Sequence, residues 1–237
     1  MAGPHELTAL SATAPPCFAL LDDAGHSLAH ARFLHGLAAH LICDDAAQLP
    51  HMLREMENHV QAGQHAVLLL SYELGAAMHA IPAWLEAAQP PFAQALIFST
   101  CEHLTAAEAE QWLAQAATEL SGIGALHANL EQAEFAAALD KIHAYIEAGD
   151  TYQVNFTYRL RFQVYGSALA LYRRLRLRQP VPYGALIQLP NGQSIVSLSP
   201  ELFVRHQQGR LFAQPMKGTA PASVDASENA ERAQALA

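Results

Sequence analysis

The sequence predicts an α+β protein in which mixed, largely antiparallel sheets carry flanking helices. Three observations predict it. Short apolar runs bounded by turn residues recur in both halves, as strands do. Two of the turns, Pro190-Asn191-Gly192-Gln193 and Gln207-Gln208-Gly209, join neighbouring apolar runs in the manner of hairpins. Between the strands lie stretches with apolar residues three and four apart, the helical period.

In the first half, residues 17–21 form a short apolar run that ends at Asp22-Asp23, a strand entering a turn. Histidines at 26, 30, 35 and 40 follow in a stretch with no clear register. Leu49, Leu53, Met56 and Val60 give residues 49–61 a helical stripe, which Gly63 stops. Residues 66–72 and 95–100 read as strands, 85–91 as a loop, and 106–120 as a helix burying Trp112, Leu113, Ala116 and Leu120. Ser121-Gly122-Ile123-Gly124 is small and turn-rich, and it divides the chain into regions 1–124 and 125–237.

In the second half, Asn129 is placed to cap a helix over 130–148, with Gln132 completing a capping box and Gly149 ending it. Phe135, Leu139, Ile142 and Ile146 form its apolar stripe. Val154, Phe156, Tyr158, Leu160, Phe162 and Val164 then alternate with Gln153, Asn155, Thr157, Arg159, Arg161 and Gln163. That pattern predicts one long strand with a polar, basic face, either solvated or one wall of a pocket. Residues 168–178 read as a helix burying Ala168, Leu171, Tyr172 and Leu175, with Arg173, Arg174, Arg176 and Arg178 in solvent. Strands over 185–189, 194–198, 202–206 and 210–214 lead into Pro215-Met216-Lys217-Gly218-Thr219, and a helix begins near Glu228.

The 237 residues are 51% hydrophobic and 15% charged, enough for a real core, and the net charge of −9 argues against nucleic-acid and anionic-membrane partners. Cys17, Cys43 and Cys101 lie far apart with no Cys-x-x-Cys, as buried free thiols of a reducing compartment do. The N-terminus does not read as a signal peptide, and no apolar run reaches membrane-spanning length. The expected location is cytoplasmic. The 13 histidines read as composition bias rather than a metal site.

Lys217 is one of two lysines beside eleven arginines. A guanidinium stays protonated, whereas a desolvated lysine can become a nucleophile. A solvated hairpin lysine is the alternative.

Ala148-Gly149-Asp150-Thr151-Tyr152-Gln153-Val154-Asn155, Pro182-Tyr183-Gly184-Ala185, Ser197-Leu198-Ser199-Pro200-Glu201 and Pro215-Met216-Lys217-Gly218-Thr219 occur in the order found in chorismate-utilising enzymes. Together they resemble that family over residues 135–220. Phe18-Ala19-Leu20-Leu21-Asp22-Asp23 and Ser71-Tyr72-Glu73 resemble, more weakly, the N-terminal region of aminodeoxychorismate synthase large components. The fold implied is that of the chorismate-utilising enzymes, incomplete at the C-terminus.

The resemblance implies a reaction. Water-using relatives carry a lysine base at the position of Gln153, which cannot act as that base. Anthranilate synthases usually have alanine at Lys217, where aminodeoxychorismate synthases have lysine. Glu201 would protonate the departing 4-hydroxyl of chorismate, which needs a carboxyl kept neutral by burial. Lys217 would attack C2, and ammonia at C4 would then expel it, giving 4-amino-4-deoxychorismate for p-aminobenzoate and folate synthesis. Gly218 would allow close backbone approach and Thr219 would donate to a substrate carboxylate. The implied partner is a glutaminase subunit that supplies ammonia. Alternatives are an anthranilate synthase component I, or a non-catalytic piece that only docks the glutaminase.

Two departures from the family follow. Its domain continues past the Lys-Gly-Thr motif into a part holding the glutamates for Mg²⁺, so the Mg²⁺ ligands are expected to be absent from this chain. Asp23 stands where relatives that bind tryptophan have a serine, which weighs against tryptophan binding. Purified 1–237 given chorismate, Mg²⁺ and ammonia is therefore expected to form little or no aminodeoxychorismate, and clear product formation in that assay would contradict the reading.

Overall fold

The computed structural model describes residues 16–24, 30–79, 81, 91–215, 221, 223 and 225–236. They form two compact units, one within 110–177 and the other from 15–109 with 178–237. The architecture is α+β, and every described strand pairing is antiparallel.

The larger unit is built on a six-stranded sheet. Its strands are β1 (Phe18–Asp22), β2 (His30–Cys43), β3 (His65–Leu70), β4 (Ala93–Thr105), β7 (Tyr183–Gln188) and β8 (Ser194–Ser199), in the order β3-β4-β2-β1-β7-β8. β1 thus lies between strands from opposite halves of the chain. Ala19 faces Leu34 and Ile187, and Leu20 faces Phe33 and Leu186. Phe18, Ala19 and Leu20 are almost fully buried, so both faces of β1 are covered, which explains its unbroken apolar run. Cys17, Ala19, Leu34, Leu96, Phe98 and Ile187 make one core cluster.

β2 is the strand that periodicity misses. Its register slips between Leu37 and Ala39, and Gly36 sits at φ 71°. The bulge breaks the alternation on which strand recognition rests. Ser99 Oγ donates to the Gly36 carbonyl at 3.1 Å, and a Cβ on Gly36 would fall 2.4 Å from that oxygen. The positive φ, more than the movable Ser99 hydroxyl, favours glycine there.

Helix α1 (Leu49–Gln61) has the predicted limits, with Gly63 beyond it at φ 87°. Its Met52 packs with Cys43, Leu74 and Ala93. The strand expected over 66–72 stops at Leu70, because Ser71 Oγ accepts from the Leu74 N–H and caps α2 (Tyr72–Met78). Residues 85–90 of the expected loop lie outside the described residues. Helix α3 (Ala106–Ala116) begins with a reciprocal cap in which the Thr105 N–H donates to Glu108 and the Glu108 N–H donates to Thr105 Oγ1. It ends earlier than expected, and Leu120 is exposed.

The 110–177 unit contains β5 (Gly122–Ala128), α4 (Gln132–Ala148), β6 (Leu160–Tyr165) and α5 (Ala168–Arg178). The expected turn at 121–124 is the start of β5, which pairs with β6. The capping box of α4 uses Glu131 and Glu134 instead of Asn129 and Gln132. Asn129 Oδ1 accepts from the Arg159 N–H at 2.7 Å. Gly149, in the left-handed region, ends α4 as expected. The long strand predicted from 154 has a ladder only from Leu160, because β5 reaches no further.

α5 has the predicted limits and a different buried face: Leu169, Ala170, Tyr172 and Arg176. Arg176 is inside because it is paired. Glu110 of α3 accepts from Arg173 at 2.8 Å and from Arg176 at 3.1 Å. Arg174 donates to the Ser121 carbonyl.

The last two hairpins form around the expected turns. In the β7–β8 hairpin, the Gly192 N–H donates to Leu189 and the Leu189 N–H donates to Gln193, a three-residue loop with Gly192 at φ 84°. β9 (Arg205–Gln207) and β10 (Arg210–Phe212) are shorter than the expected strands and form a separate two-stranded sheet rather than continuing the large one. Gln208 and Gly209 both take positive φ, the primed turn that suits strand twist. Helix α6 (Ala226–Leu236) follows.

Two predictions follow from the packing. Arg176→Ala removes one of the two arginines bonded to Glu110, leaves Arg173 in place, and should lower unfolding free energy by about 2 kcal/mol. Arg178→Ala, on the exposed side, should cost under about 0.5 kcal/mol; urea melts followed by circular dichroism compare them. Burial also pushes the Cys17 and Cys101 thiols up, the latter held back in part by Arg32. Their thiolates are scarcer than usual at a given pH, so iodoacetamide at pH 8 should modify both slowly in the native chain and quickly in urea.

Candidate functional site

β8 ends at Ser199, and the chain then turns through Pro200 to Glu201. The turn is held by Ser199 Oγ, which accepts from the Glu201 N–H at 3.2 Å and donates to the Glu201 carbonyl at 3.1 Å. A serine two residues before its partner closes such a turn with its own hydroxyl. Glu201 is exposed, so the burial expected to keep its carboxyl neutral is not present in the described residues; it borders an open hollow of about 420 Å³, together with Ser199, Leu202, Phe203, Ala213 and Pro215.

Pro215 opens the pentapeptide that contains Lys217. Lys217, Gly218 and Thr219 themselves lie outside the described residues. What the structure brings together is Glu201 and the entry to that pentapeptide, on one hollow, by folding β9 and β10 back as a hairpin.

Gln153 belongs to the 110–177 unit and Glu201 to the other, and each is described within its own unit. Gln153 is exposed, its carbonyl accepts from Thr151 Oγ1 at 3.0 Å, and its Nε2 donates to Asn155 Oδ1 at 3.4 Å.

A second hollow, of about 410 Å³, was not legible in the sequence. Its lining includes Asp22 and Asp23 from the end of β1, Arg32 of β2, Tyr183 of β7 and Arg205 of β9. The Ala24 N–H donates to Val181 at 2.9 Å, and Arg205 donates to the Tyr183 hydroxyl at 3.3 Å. These residues meet only because β1 is paired on both sides, and no local pattern announces that. The hollow joins the two stretches, Asp22-Asp23 and Pro182-Tyr183, that carried separate parts of the resemblance.

The histidines serve other purposes. His35 hydrogen-bonds Glu102 at 2.7 Å, and His40 hydrogen-bonds Gln94 at 2.9 Å. His26 lies outside the described residues. Among the described residues no three histidine, cysteine, aspartate or glutamate side chains come together to hold a metal ion. The described residues therefore do not fit a Mg²⁺ site, and no chemical step is routed through the ion. No described helix is long and apolar enough to cross a membrane.

An antiparallel α+β frame with an acidic residue just past its edge hairpin leaves the activity open. Comparison with known proteins narrows it. The family model described as chorismate binding enzyme matches residues 17–237, and the chain belongs to that family. It is 35% identical to an aminodeoxychorismate synthase component 1 of Klebsiella aerogenes over 113 residues, 48% of this chain and 25% of that relative. A Salmonella typhimurium protein of the same description is 32% identical over the same shares. An anthranilate synthase component 1 of Bacillus subtilis is 35% identical over 101 residues, 43% of this chain and 19% of that relative. The aligned stretch thus spans a quarter or less of each of these proteins.

Proposed function

We propose that this chain supplies catalytic elements of component I of aminodeoxychorismate synthase. The reaction is the conversion of chorismate and ammonia to 4-amino-4-deoxychorismate, for p-aminobenzoate and folate synthesis, with ammonia from a glutaminase subunit. The observation that carries the reading is the shared hollow of Glu201 and Pro215, the residue that leads to Lys217.

Chemistry assigns each residue a task. Glu201 protonates the 4-hydroxyl of chorismate, so that the C4–O bond breaks with loss of water. Lys217 Nζ forms a bond to C2 as the ring π-electrons shift and the hydroxyl departs. Ammonia then bonds to C4 and the C2–Nζ bond breaks, which restores the lysine. The Gln153 amide cannot take up a proton at neutral pH, in keeping with an amine rather than water as nucleophile. Gly218 and Thr219 approach and orient the substrate carboxylate. Mg²⁺ belongs to the proposal as a required ion whose ligands are not among the described residues.

The second reading is anthranilate synthase component I, favoured by the 35% identity to the Bacillus subtilis protein. Product analysis separates them. The chain is mixed with the C-terminal half of the Klebsiella aerogenes relative, chorismate, Mg²⁺ and ammonia. Aminodeoxychorismate is the expected product, and fluorescent anthranilate would favour the second reading. Glu201→Gln should lower the rate by about 10²–10⁴-fold, as loss of a general acid does. Lys217→Ala should abolish the covalent species seen by intact-mass measurement, at the mass of chorismate less one water. Undiminished turnover by Lys217→Ala would remove lysine from the mechanism.

A further inference from the structure

The hollow at Glu201 has walls from two different sheets. One wall is Ser199, at the end of β8, with the turn to Glu201 that its hydroxyl closes. The other is Ala213 and Pro215, which follow β10 and lead to Lys217. Among the described residues β9 and β10 pair with each other and with no strand of the six-stranded sheet. No described ladder therefore sets the separation of the two walls.

A side-chain bond crosses between the sheets instead. Arg205 opens β9, and its Nη2 donates to the Tyr183 hydroxyl at 3.3 Å. Each partner is one step from a wall. Tyr183 is paired with Ser199 across β7 and β8. Arg205 is paired with Phe212, whose chain neighbour is Ala213. Both partners line the second hollow and neither lines the first, so the bond can brace the first hollow without filling it. A bond from a guanidinium is charge-assisted and directional. Reacting groups tolerate little displacement, since about 1 Å can cost about 100-fold in rate.

We infer that Arg205 is a positioning residue. Through Tyr183 it sets residues 205–215, and with them the approach of Lys217, against Glu201. The catalytic consequence rests on the proposed function. The tie between the sheets does not, and it is read without catalysis.

Tyr183→Phe, Arg205→Met and the double variant form a cycle, with Arg205→Lys as the conservative replacement. Hydrogen exchange by mass spectrometry on the full chain reads the tie. Amides of 205–212 should exchange about threefold faster in both single variants and, to the same extent, in the double variant. Exchange in β1 to β4 should not change, and Arg205→Lys should match the original chain. Turnover is read in the mixture that separates aminodeoxychorismate from anthranilate. There kcat should fall about tenfold in the same three variants, KM for chorismate should move by less than about twofold, and Arg205→Lys should restore most of the rate. Losses that multiply in the double variant, or hairpin exchange that Tyr183→Phe leaves unchanged, overturn the inference. So do an unchanged kcat beside faster hairpin exchange, and faster exchange that spreads through β1 to β4, which makes the bond a support of the whole sheet. Faster hairpin exchange in the variants, with no product even from the original chain, upholds the tie and counts against the proposed function.

Discussion

The pairing of β1 with β7 is the constraint on which the larger unit depends. Five residues, Phe18 to Asp22, are matched one for one with Gln188 to Gly184. Without that ladder, β7 and β8 are an isolated hairpin, and Glu201 at its end has no fixed place. Burial drives the pairing, since Leu20 and Leu186 are each almost fully enclosed, worth roughly 1.5–3 kcal/mol apiece. The long intervening chain adds little to the cost, because loop-closure entropy rises only logarithmically with length. It does make the contact non-local, which slows folding more than it weakens the product.

The same ladder brings the two parts of the family resemblance into one place. Asp22 and Asp23 leave β1 beside Pro182 and Tyr183, and Arg205 reaches back to Tyr183. The smaller unit is held differently. Its helices are joined by Glu110 with Arg173 and Arg176, while its two-stranded sheet keeps an apolar face half exposed. The buried face of α5 combines that ion pairing with the apolar Leu169, Ala170 and Tyr172.

Locally determined structure is legible in the sequence. α1 and α5 have the limits their periodicity predicts, and the Asn191-Gly192 and Gln208-Gly209 turns are where their residues require them. Structure decided by a distant partner is not legible there. β2 is hidden by the register slip between Leu37 and Ala39, which is fixed by its pairing with β4. Arg176 reads as a surface residue until Glu110, 66 positions away, is placed beside it. Asn129 has the chemistry of a helix cap and is used by Arg159 instead. At the site, Glu201 and Gln153 are nameable only through a family pattern, and that pattern marks Asp22-Asp23 and Pro182-Tyr183 without showing that they share a hollow.

The pairing of β1 with β7 is most directly tested by native-state hydrogen exchange across a urea series. If β1 holds β7 in the sheet, the ladder amides of 18–22 and 184–188 should share one opening free energy and one urea dependence, merging with global unfolding of the larger unit. Amides of 184–188 that stay protected after those of 18–22 have exchanged would show β7 and β8 standing without β1, and would contradict the account.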